Sequence, residues 1–297
     1  MIRAVLAEHG LKPNKALGQN FIADHNHLER IVETAGLSPQ DGVLEIGPGI
    51  GALTRELAAR CRFVVAVEVD KGLVRALGDT CGDLQNVHII HSDILALDLG
   101  EVLSEIRERT GATNGLRGEA VPGDIRVVAN LPYYITTPAI FQLLEHRENI
   151  KSMVFLVQRE VAARLAAAPG TPAYGALTVA AGGMGRITLH GNVPPEAFYP
   201  RPEVTSTLIR FDPTPPGERE RRLGPLFAKI VKLSFAQRRK TLKNALAELA
   251  TKDEIIQAFK LAGLDPGLRG EALSADSFWT LAAVFGNLQK KQADARL

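Results

Sequence analysis

The sequence predicts an α/β protein in which a mostly parallel seven-stranded sheet is followed by a small all-helical C-terminal domain. Short apolar runs alternate with longer amphipathic segments from Val43 onward, and this alternation is typical of parallel strands joined by covering helices. A glycine-rich turn follows the first apolar run. After a proline-rich segment at 212–217, apolar residues recur only at helical spacing.

The strands are predicted from short apolar runs bounded by polar or glycine-rich stretches. Five runs alternate with longer amphipathic segments, as parallel strands with covering helices do. Two later runs are rich in β-branched residues and lie close together in the chain, so we expect an antiparallel pair at the sheet edge. In chain order, the seven predicted strands are 43–46, 63–69, 87–90, 125–129, 153–157, 187–193 and 204–211.

The domain boundary is predicted at 212–217, because three prolines and a glycine in this segment cannot continue a strand or form the interior of a helix. We therefore expect one domain over 1–212 and a helical domain over 213–297. In the helical domain, helices are predicted over 254–261 and 277–288. An earlier helical pattern has its apolar positions at Phe227, Ile230, Val231, Phe235, Leu242, Leu246 and Leu249.

Composition excludes several classes of protein. With 45% hydrophobic and 23% charged residues, the chain has the composition of a soluble globular protein rather than a disordered one. Cys61 and Cys81 are its only cysteines and lie outside any C-x-x-C pattern, so neither a disulfide framework nor a thiolate zinc site is expected. His88 and His91 have no carboxylate or cysteine ligands at matching spacing, so no metal site is predicted.

The sequence also gives expectations for location and assembly. No apolar run has the length of a membrane span, and the N-terminal residues lack the sustained apolar run of a secretory signal. We therefore expect a cytoplasmic protein without membrane contact. No self-complementary apolar helix stands out, which favours a monomer.

The glycine turn predicts a cofactor site. Gly47, Gly49 and Gly51 follow the first strand and open a helix, so they lie at the carboxyl edge of the sheet, where proteins of this class bind ligands. Glycines let the backbone approach a ligand closely, and a helix N-terminus favours a negative group. With Ala52, the turn also fits the dinucleotide fingerprint, so a nicotinamide enzyme is an alternative. Glu68, near the end of the second strand, lies where an acidic residue binds ribose hydroxyls in such folds, so it indicates a nucleoside without identifying it.

The turn after the fourth strand predicts a site for a purine amine. The Asn130 side chain and the Leu131 carbonyl offer acceptors to an exocyclic amine, Pro132 stiffens the turn through its fixed φ, and Tyr133 offers a flat face for a base to stack on. Taken alone, these residues also fit a strand end interrupted by proline. Asp93, just after the third strand, is either an acceptor for the adenine amine of a cofactor or a loop or N-cap aspartate.

In this order along one chain, these elements resemble an S-adenosylmethionine-dependent methyltransferase that acts on adenine amines. Longer matches look like the ribosomal RNA adenine dimethyltransferase family. The resemblance covers nearly the whole chain, and residues 269–274 fit the branch that acts on small-subunit RNA. The matching segments are 18–21, 158–162, 169–170 with 174–175, 194–204 and 235–244.

The resemblance implies a Rossmann-like methyltransferase domain, S-adenosyl-L-methionine as the cofactor and a defined set of site residues. Tyr133 and Phe198 are implied to hold a flipped adenine, next to the reacting turn of Asn130, Leu131 and Pro132. The residues expected to contact the cofactor are Asn20, Ile22, Gly47, Gly49, Glu68, Asp93 and Asn130.

Two features depart from the family pattern. The stretch between the third and fourth strands is longer than the family leads us to expect, with the excess at 111–123, a glycine-rich, polar and aperiodic segment that we predict to be a surface loop. Tyr134 stands where a small polar residue is common in the family. The second departure affects the rim of the predicted base pocket.

Positive charge is concentrated in one part of the chain, although the net charge is only +2. Between residues 219 and 243 there are nine basic residues and one acid. A solvated helix face is one interpretation of such a stretch. We expect instead an RNA-binding surface, in which 238–240 and Lys243 fall mostly on one side of a helix. Its predicted residues are Lys12, Lys15, Arg238, Arg239, Lys240 and Lys243.

The resemblance implies an enzyme that places two methyl groups on each of two adjacent adenosines, in a hairpin loop near the 3′ end of small-subunit (16S) ribosomal RNA. The expected partner is this RNA within an immature 30S particle. One alternative is a related methylase that acts on large-subunit RNA and confers antibiotic resistance. Another is a ribosome-assembly factor for which catalysis is secondary.

Overall fold

The computed structural model describes residues 2–111, 123–237 and 239–294. The strands are β1 (Phe21–Ile22), β2 (Gly42–Ile46), β3 (Phe63–Glu68), β4 (Val87–His91), β5 (Ile125–Asn130), β6 (Ser152–Gln158), β7 (Gly185–Val193), β8 (Phe198–Tyr199) and β9 (Ser206–Pro213). The α-helices are α1 (Ile2–Glu8), α2 (His25–Ala35), α3 (Ala52–Ala58), α4 (Lys71–Cys81), α5 (Leu99–Gly111), α6 (Thr136–Glu145), α7 (Arg159–Leu165), α8 (Ala176–Gly182), α9 (Glu218–Ala236), α10 (Leu242–Ala245), α11 (Lys252–Ala262) and α12 (Ala275–Asp294).

The main sheet has seven strands in the order β4-β3-β2-β5-β6-β9-β7. β2 pairs in parallel with β3 and β5, and the pairs β3 with β4 and β5 with β6 are also parallel. β9 is antiparallel to β6 and lies between it and the edge strand β7. The predicted mostly parallel seven-stranded sheet is confirmed. Every predicted strand is present, with each end within two residues of its predicted position.

A separate two-stranded ladder joins β1 to β8, with Phe21 opposite Tyr199 and Ile22 opposite Phe198. Neither short strand was predicted, because a two-residue strand has too little periodicity to be recognised in a sequence. The ladder attaches the N-terminal residues to the segment just before β9. It therefore holds residues 21–22 beside the carboxyl edge of the main sheet.

The site is positioned by the order of the strands. The chain passes from β2 outward to β3 and β4, and then returns across β2 to β5 on its other side. This reversal creates a crevice at the carboxyl ends of β2 and β5, which is where ligands bind in sheets of this class. The register, with Ile46 opposite both Val67 and Ala129, brings the residues after these strands to one place.

The chain divides into two compact units. One comprises Met1–Ala162 with Thr188–Pro213, and the other comprises Ala163–Ile187 with Thr214–Leu297. This division differs from the predicted one, which kept 163–187 in the first domain. The reason is packing within the second unit, where the Tyr174 hydroxyl donates to the Leu273 carbonyl at 2.6 Å and Val179 belongs to the same apolar cluster.

The second unit is helical, as predicted, but its first helical pattern is interrupted. α9 ends at Ala236, and Gln237 is extended, with φ −138° and ψ 99°. The next helix is α10, whose first amide, that of Leu242, donates to the Leu268 carbonyl at 2.8 Å. Arg239 and Lys240 lie between the two helices, so the prediction that they share one side of a helix with Lys243 is wrong, while Arg238 lies outside the described residues. Contacts with the loop before residue 270 fix where the new helix starts.

The opposite, amino-terminal edge of the main sheet is held by a buried ion pair. Arg126 Nε donates to Asp41 Oδ2 at 2.7 Å, and the side chains are 12% and 4% exposed. Burial by itself raises the pKa of Asp41, but the bonds from Arg126 and from the Ser38 amide outweigh it, so the pKa of Asp41 lies below its ordinary value. Arg126 also donates to Ser152 Oγ at 3.1 Å and so joins two neighbouring strands.

Arg126→Met is expected to lower the free energy of unfolding by about 3–5 kcal/mol, because it leaves the buried Asp41 carboxylate without its charged partner. Urea unfolding followed by circular dichroism measures the change. The control is Arg60→Met, which removes the exposed pair of Arg60 with Glu56 and should cost at most about 1 kcal/mol. Equal losses from the two variants would contradict the role of the buried pair.

Candidate active site

A pocket opens at the carboxyl ends of β2, β3 and β5 and holds about 970 Å³, open mouth included. It belongs entirely to the first unit. Its walls come from the segment 17–22, the glycine turn, the ends of β3 and β4, and the turn after β5. The predicted residues that line it are Asn20, Ile22, Gly47, Gly49, Glu68, Asp93, Asn130, Leu131, Pro132 and Tyr133.

The glycine turn forms the floor of the pocket. Gly47, Gly49 and Gly51 have φ values of 70°, 63° and 87°, which is the left-handed region that glycine adopts without strain. A Cβ atom on Gly49 would stand 2.8 Å from the Phe21 ring. The turn therefore requires glycine for its conformation and, at Gly49, for the close approach of the N-terminal segment.

Glu68 is the acid at the edge of the floor. It is 4% exposed, and its two oxygens accept from backbone amides, Oε2 from Gly49 at 3.1 Å and Oε1 from Asp70 at 2.9 Å. Burial raises the pKa of Glu68, although these amides act in the opposite direction. The hydrogen bonds hold the carboxyl in one orientation, which suits an acceptor for a pair of ribose hydroxyls.

Glu45 is a second buried acid in the pocket wall, which the sequence analysis did not single out. It is 1% exposed, and neither of its carboxyl oxygens has a hydrogen-bond partner among the described residues. Burial raises the pKa of Glu45 to about 8; the nearby Thr54 hydroxyl lowers it in part, although its geometry falls short of a hydrogen bond, and the negative charge of Glu68 raises it further. The available signal was an acid at the end of an otherwise apolar strand.

The turn after β5 presents acceptors to the pocket. Asn130 Nδ2 donates to the Asn20 carbonyl at 2.7 Å, which orients the carboxamide and leaves its Oδ1 to accept from a ligand. The Leu131 amide donates to the Leu156 carbonyl at 3.3 Å, while no described residue donates to the Leu131 carbonyl. The Pro132 carbonyl accepts from the Thr136 hydroxyl at 3.1 Å and closes the turn onto α6.

Two tyrosines complete this side of the pocket. The half-buried Tyr133 is anchored by a hydrogen bond of 3.1 Å between its hydroxyl and that of Ser206, a buried residue that the sequence analysis did not identify. Tyr134 is 54% exposed at the rim. Burial raises the pKa of Tyr134, and the negative charges of Asp93 and Glu68 raise it further. The phenol of Tyr134 thus lies near both acids.

Asp93 fits both predicted roles, that of an N-cap aspartate and that of an acceptor for an adenine amine. It caps the short helical turn Ile94–Ala96, with Oδ1 accepting from the Leu95 amide at 2.9 Å. It also lines the pocket, and no described residue donates to its Oδ2. One oxygen is therefore used by the cap and the other can accept from a ligand amine.

Phe198 is the one predicted contact of the target base that the structure does not bring to the pocket. It is 5% exposed and packs in the apolar cluster that includes Ile22 and Leu28, opposite Ile22 in the β1–β8 ladder. In this arrangement it supports the pocket wall from behind. The contact of Phe198 with a base stays a prediction, and it requires the side chain to become exposed to the pocket.

The predicted RNA-binding residues are distributed over both units. Lys12 is exposed in the first unit, and Arg239 and Lys240 are exposed in the second, where Lys243 is partly buried. Arg238 and the side chain of Lys15 lie outside the described residues. In the described ranges, no cluster of three or more His, Cys, Asp or Glu residues has the arrangement of a metal site, and no helix is long and apolar enough to cross a membrane.

Comparison with known proteins decides the family. A model of the family described as ribosomal RNA adenine dimethylase matches residues 10–286. The chain belongs to the ribosomal RNA adenine dimethylase family. Two relatives, each named Ribosomal RNA small subunit methyltransferase A, are 43% identical to it. The match to the Geobacillus thermodenitrificans protein covers 94% of this chain and 93% of that one, and the match to the Shouchella clausii protein covers 97% and 95%.

Solved structures share the dimethylase fold. A dimethyladenosine transferase from Plasmodium falciparum superposes with a TM-score of 0.71 at 22% identity, over 90% of this chain and 98% of that one. The 23S rRNA methyltransferase ErmE superposes with a TM-score of 0.60 at 26% identity, over 90% and 99%. Both matches extend over most of the chain, so the sheet and the helical region are shared.

In this dimethylase, Glu45→Gln is expected to raise the melting temperature increasingly as the pH rises from 5 to 8. The pKa of Glu45 is about 8 in the folded protein, against an ordinary value of 4.5. Its contribution to folding stability is therefore fully present below pH 4.5 and is lost as the pH rises toward 8. Glutamine does not ionise, so the Tm difference between variant and wild type should grow by at least about 4 °C.

Differential scanning fluorimetry at several pH values measures this trend. The control is Glu33→Gln, which removes a carboxyl from the exposed face of α2 and should shift the Tm by a similar small amount at each pH. A Tm difference for Glu45→Gln that stays constant between pH 5 and 8 would show that this carboxyl is not held neutral by burial.

Proposed function

We propose that this chain transfers methyl groups from S-adenosyl-L-methionine to the exocyclic amines of two adjacent adenosines in a 3′-terminal hairpin loop of small-subunit (16S) ribosomal RNA. The observation that supports this most directly is the oriented Asn130 carboxamide in the pocket lining, beside the Leu131 carbonyl, to which no described residue donates. Relatives named for the small subunit are 43% identical to the chain, against 26% for the large-subunit enzyme ErmE.

The pocket suits an adenosine-containing donor. Glu68 presents a fixed carboxyl for ribose hydroxyls, and Asp93 Oδ2, to which no described residue donates, can accept from the adenine amine. Gly47 and Gly49 line the part of the pocket where we place the amino-acid end of the donor. Asn20 and Ile22 form the facing wall. S-adenosylmethionine supplies a methyl group activated by a sulfonium.

The turn after β5 orients the nucleophile. The lone pair of an adenine amine is delocalised into the ring, so the amine needs acceptors for its N–H groups. Asn130 Oδ1 and the Leu131 carbonyl provide two acceptors, and Pro132 keeps them in fixed relation. Positioning of this kind can lower a barrier by roughly 7–11 kcal/mol. No general base is required, since the proton can leave after the nitrogen has become positive.

Tyr133 offers a stacking face to the extruded base. Base flipping costs a few kcal/mol in a duplex and less in a loop, and stacking on an aromatic ring contributes about 1–3 kcal/mol per base. Ser206 holds the hydroxyl of Tyr133, so the ring is ordered before the base arrives. A single ordered ring can offset much of the cost of flipping a loop adenosine.

The proposed substrate is the RNA of an immature 30S particle, and the enzyme is proposed to act as a cytoplasmic monomer. Arg239, Lys240 and Lys243 of the second unit would contact RNA phosphates, as would Lys12 of the first. Phosphate contacts of this kind supply affinity and register, while the selected base is recognised by the pocket.

Asn130→Ala is expected to reduce methyl transfer to immature small subunits by about 10²-fold or more, because one acceptor of the target amine is lost. Transfer of a labelled methyl group measures the rate, and a circular dichroism melt confirms that the variant is folded. The control is Asn149→Ala, whose side chain accepts from Arg107 at 2.9 Å outside the pocket and whose loss should leave transfer unchanged.

The same assay on large-subunit RNA, with a nicotinamide cofactor as a further control, tests the substrate and the donor. Transfer to large-subunit RNA at the rate seen with small subunits would contradict the proposed substrate. Failure to transfer a labelled methyl group from S-adenosyl-L-methionine to either RNA would overturn the proposed donor.

RNA affinity is expected to fall steeply with salt, with a slope of about −0.7 per neutralised phosphate for single strands in a plot of log affinity against log salt. The double variant Arg239→Gln/Lys240→Gln should make this slope shallower by about 1.4. Filter binding at several salt concentrations measures it. Lys252→Gln/Lys260→Gln, a pair of exposed lysines on α11, is the control that should leave the slope unchanged; equal effects of both pairs would refute a localised site.

A further inference from the structure

Asn130, the proposed hydrogen-bond acceptor for the target amine, is oriented by the segment 14–20, here named the cover segment. Asn130 Nδ2 donates to the Asn20 carbonyl at 2.7 Å. Gly18 packs against the same turn, since a Cβ atom built on it would stand 3.6 Å from the Tyr133 nitrogen. The position of the cover segment therefore determines which end of the Asn130 carboxamide faces the pocket.

Gln19 fixes the cover segment through both ends of its own side-chain amide. Its Nε2 donates to Asp70 Oδ2 at 2.9 Å, and its Oε1 accepts from the Asn14 amide at 2.7 Å. The Gln19 backbone amide also donates to the Asn14 carbonyl at 3.3 Å. Gln19 thus closes the loop of the cover segment and ties it to the end of β3.

Asp70 is a rigid anchor for this contact. Its Oδ1 caps α4 by accepting from the amides of Gly72 and Leu73 at 2.8 and 3.2 Å. Its own amide donates to Glu68 Oε1 at 2.9 Å. The oxygen that Gln19 uses is the one left free by the helix cap, so the bond from Gln19 does not compete with the folding of α4.

The orientation of a carboxamide depends on its partners, because its oxygen and its NH₂ group have nearly the same shape. Among the described residues, only the Asn20 carbonyl accepts a hydrogen bond from the side-chain NH₂ group of Asn130. If the cover segment moves, a half-turn of the Asn130 side chain places NH₂ where the target amine must donate. Two donors then face each other, and the acceptor is lost without any change in Asn130 itself.

We propose that Gln19 is a positioning residue for methyl transfer, which fixes the Asn20 carbonyl through its bond to Asp70 and thereby sets the Asn130 acceptor. The inference rests on the proposed function in one respect, namely that Asn130 accepts from the target amine. A series of hydrogen bonds runs from Glu68, the proposed ribose ligand, through Asp70 and Gln19 to the cover segment. It links the donor side of the pocket to the target side.

The test is a pair of variants that reverse the direction of one hydrogen bond. Gln19→Glu removes the donor and sets a carboxylate against Asp70, so kcat at saturating donor and RNA should fall about tenfold or more. In Gln19→Glu/Asp70→Asn, the new asparagine NH₂ can donate to the new carboxylate, while its oxygen keeps the helix cap. The double variant should return kcat to within about threefold of wild type.

A second readout does not depend on catalysis. In nitrogen-15 spectra of the cofactor-free protein, the Asn130 side-chain NH₂ resonance, assigned by its loss in Asn130→Asp, reports the bond to the Asn20 carbonyl. It should move in Gln19→Glu and return in the double variant. Gln40→Glu, the same change at an exposed position on the loop before β2, is the control that should move neither the resonance nor kcat.

Each outcome decides the proposal. Recovery of both kcat and the resonance in the double variant supports it. An unchanged kcat in Gln19→Glu, or a double variant that stays slow while its Tm equals that of wild type, overturns it. If Gln19→Glu melts far below wild type, Gln19→Ala replaces it in both assays, and an unmoved resonance then overturns the proposal. Wild-type protein that methylates no adenosine would refute the proposed function, while the resonance would still test the role of Gln19.

Discussion

The parallel pairing of β2 with both β3 and β5 is the constraint on which the site depends. Because Ile46 lies opposite Val67 and Ala129, the three strands end at the same level, and the residues that follow them meet at one edge. A Cβ atom on Gly47 would stand 3.8 Å from the Asn130 carbonyl oxygen. A shift of one residue in either pairing would separate the glycine turn from the acceptor turn.

The pocket combines buried acids with a wall that lies outside the main sheet. Glu68 is held by backbone amides, which offset part of the cost of its burial, whereas no described residue donates to Glu45 and burial raises its pKa to about 8. The facing wall is supplied by the segment 17–22, attached through the β1–β8 ladder and through Asn130. The residues proposed to bind the cofactor and those proposed to bind the target base therefore share one hydrogen-bonded framework.

Much of this arrangement follows from local features of the sequence. The apolar runs predicted all seven strands of the sheet, because strand periodicity and strand length are properties of a few consecutive residues. The positions of Gly47, Glu68, Asp93 and Asn130, each at or just after the end of a strand, placed them at one edge once a parallel sheet was assumed. The longer motifs identified the family, which the match over residues 10–286 confirms.

By itself, then, the sequence determined the sheet, the strand-end residues and the family. Only the tertiary structure decided that 163–187 pack with the helical unit, that α9 stops at Ala236, that Phe198 is buried, and that Asn20 orients Asn130. These features depend on contacts between residues far apart in the chain, such as the bond from Asn130 across to Asn20. Local periodicity carries no information about such contacts, since they form only when the sheet brings distant segments together.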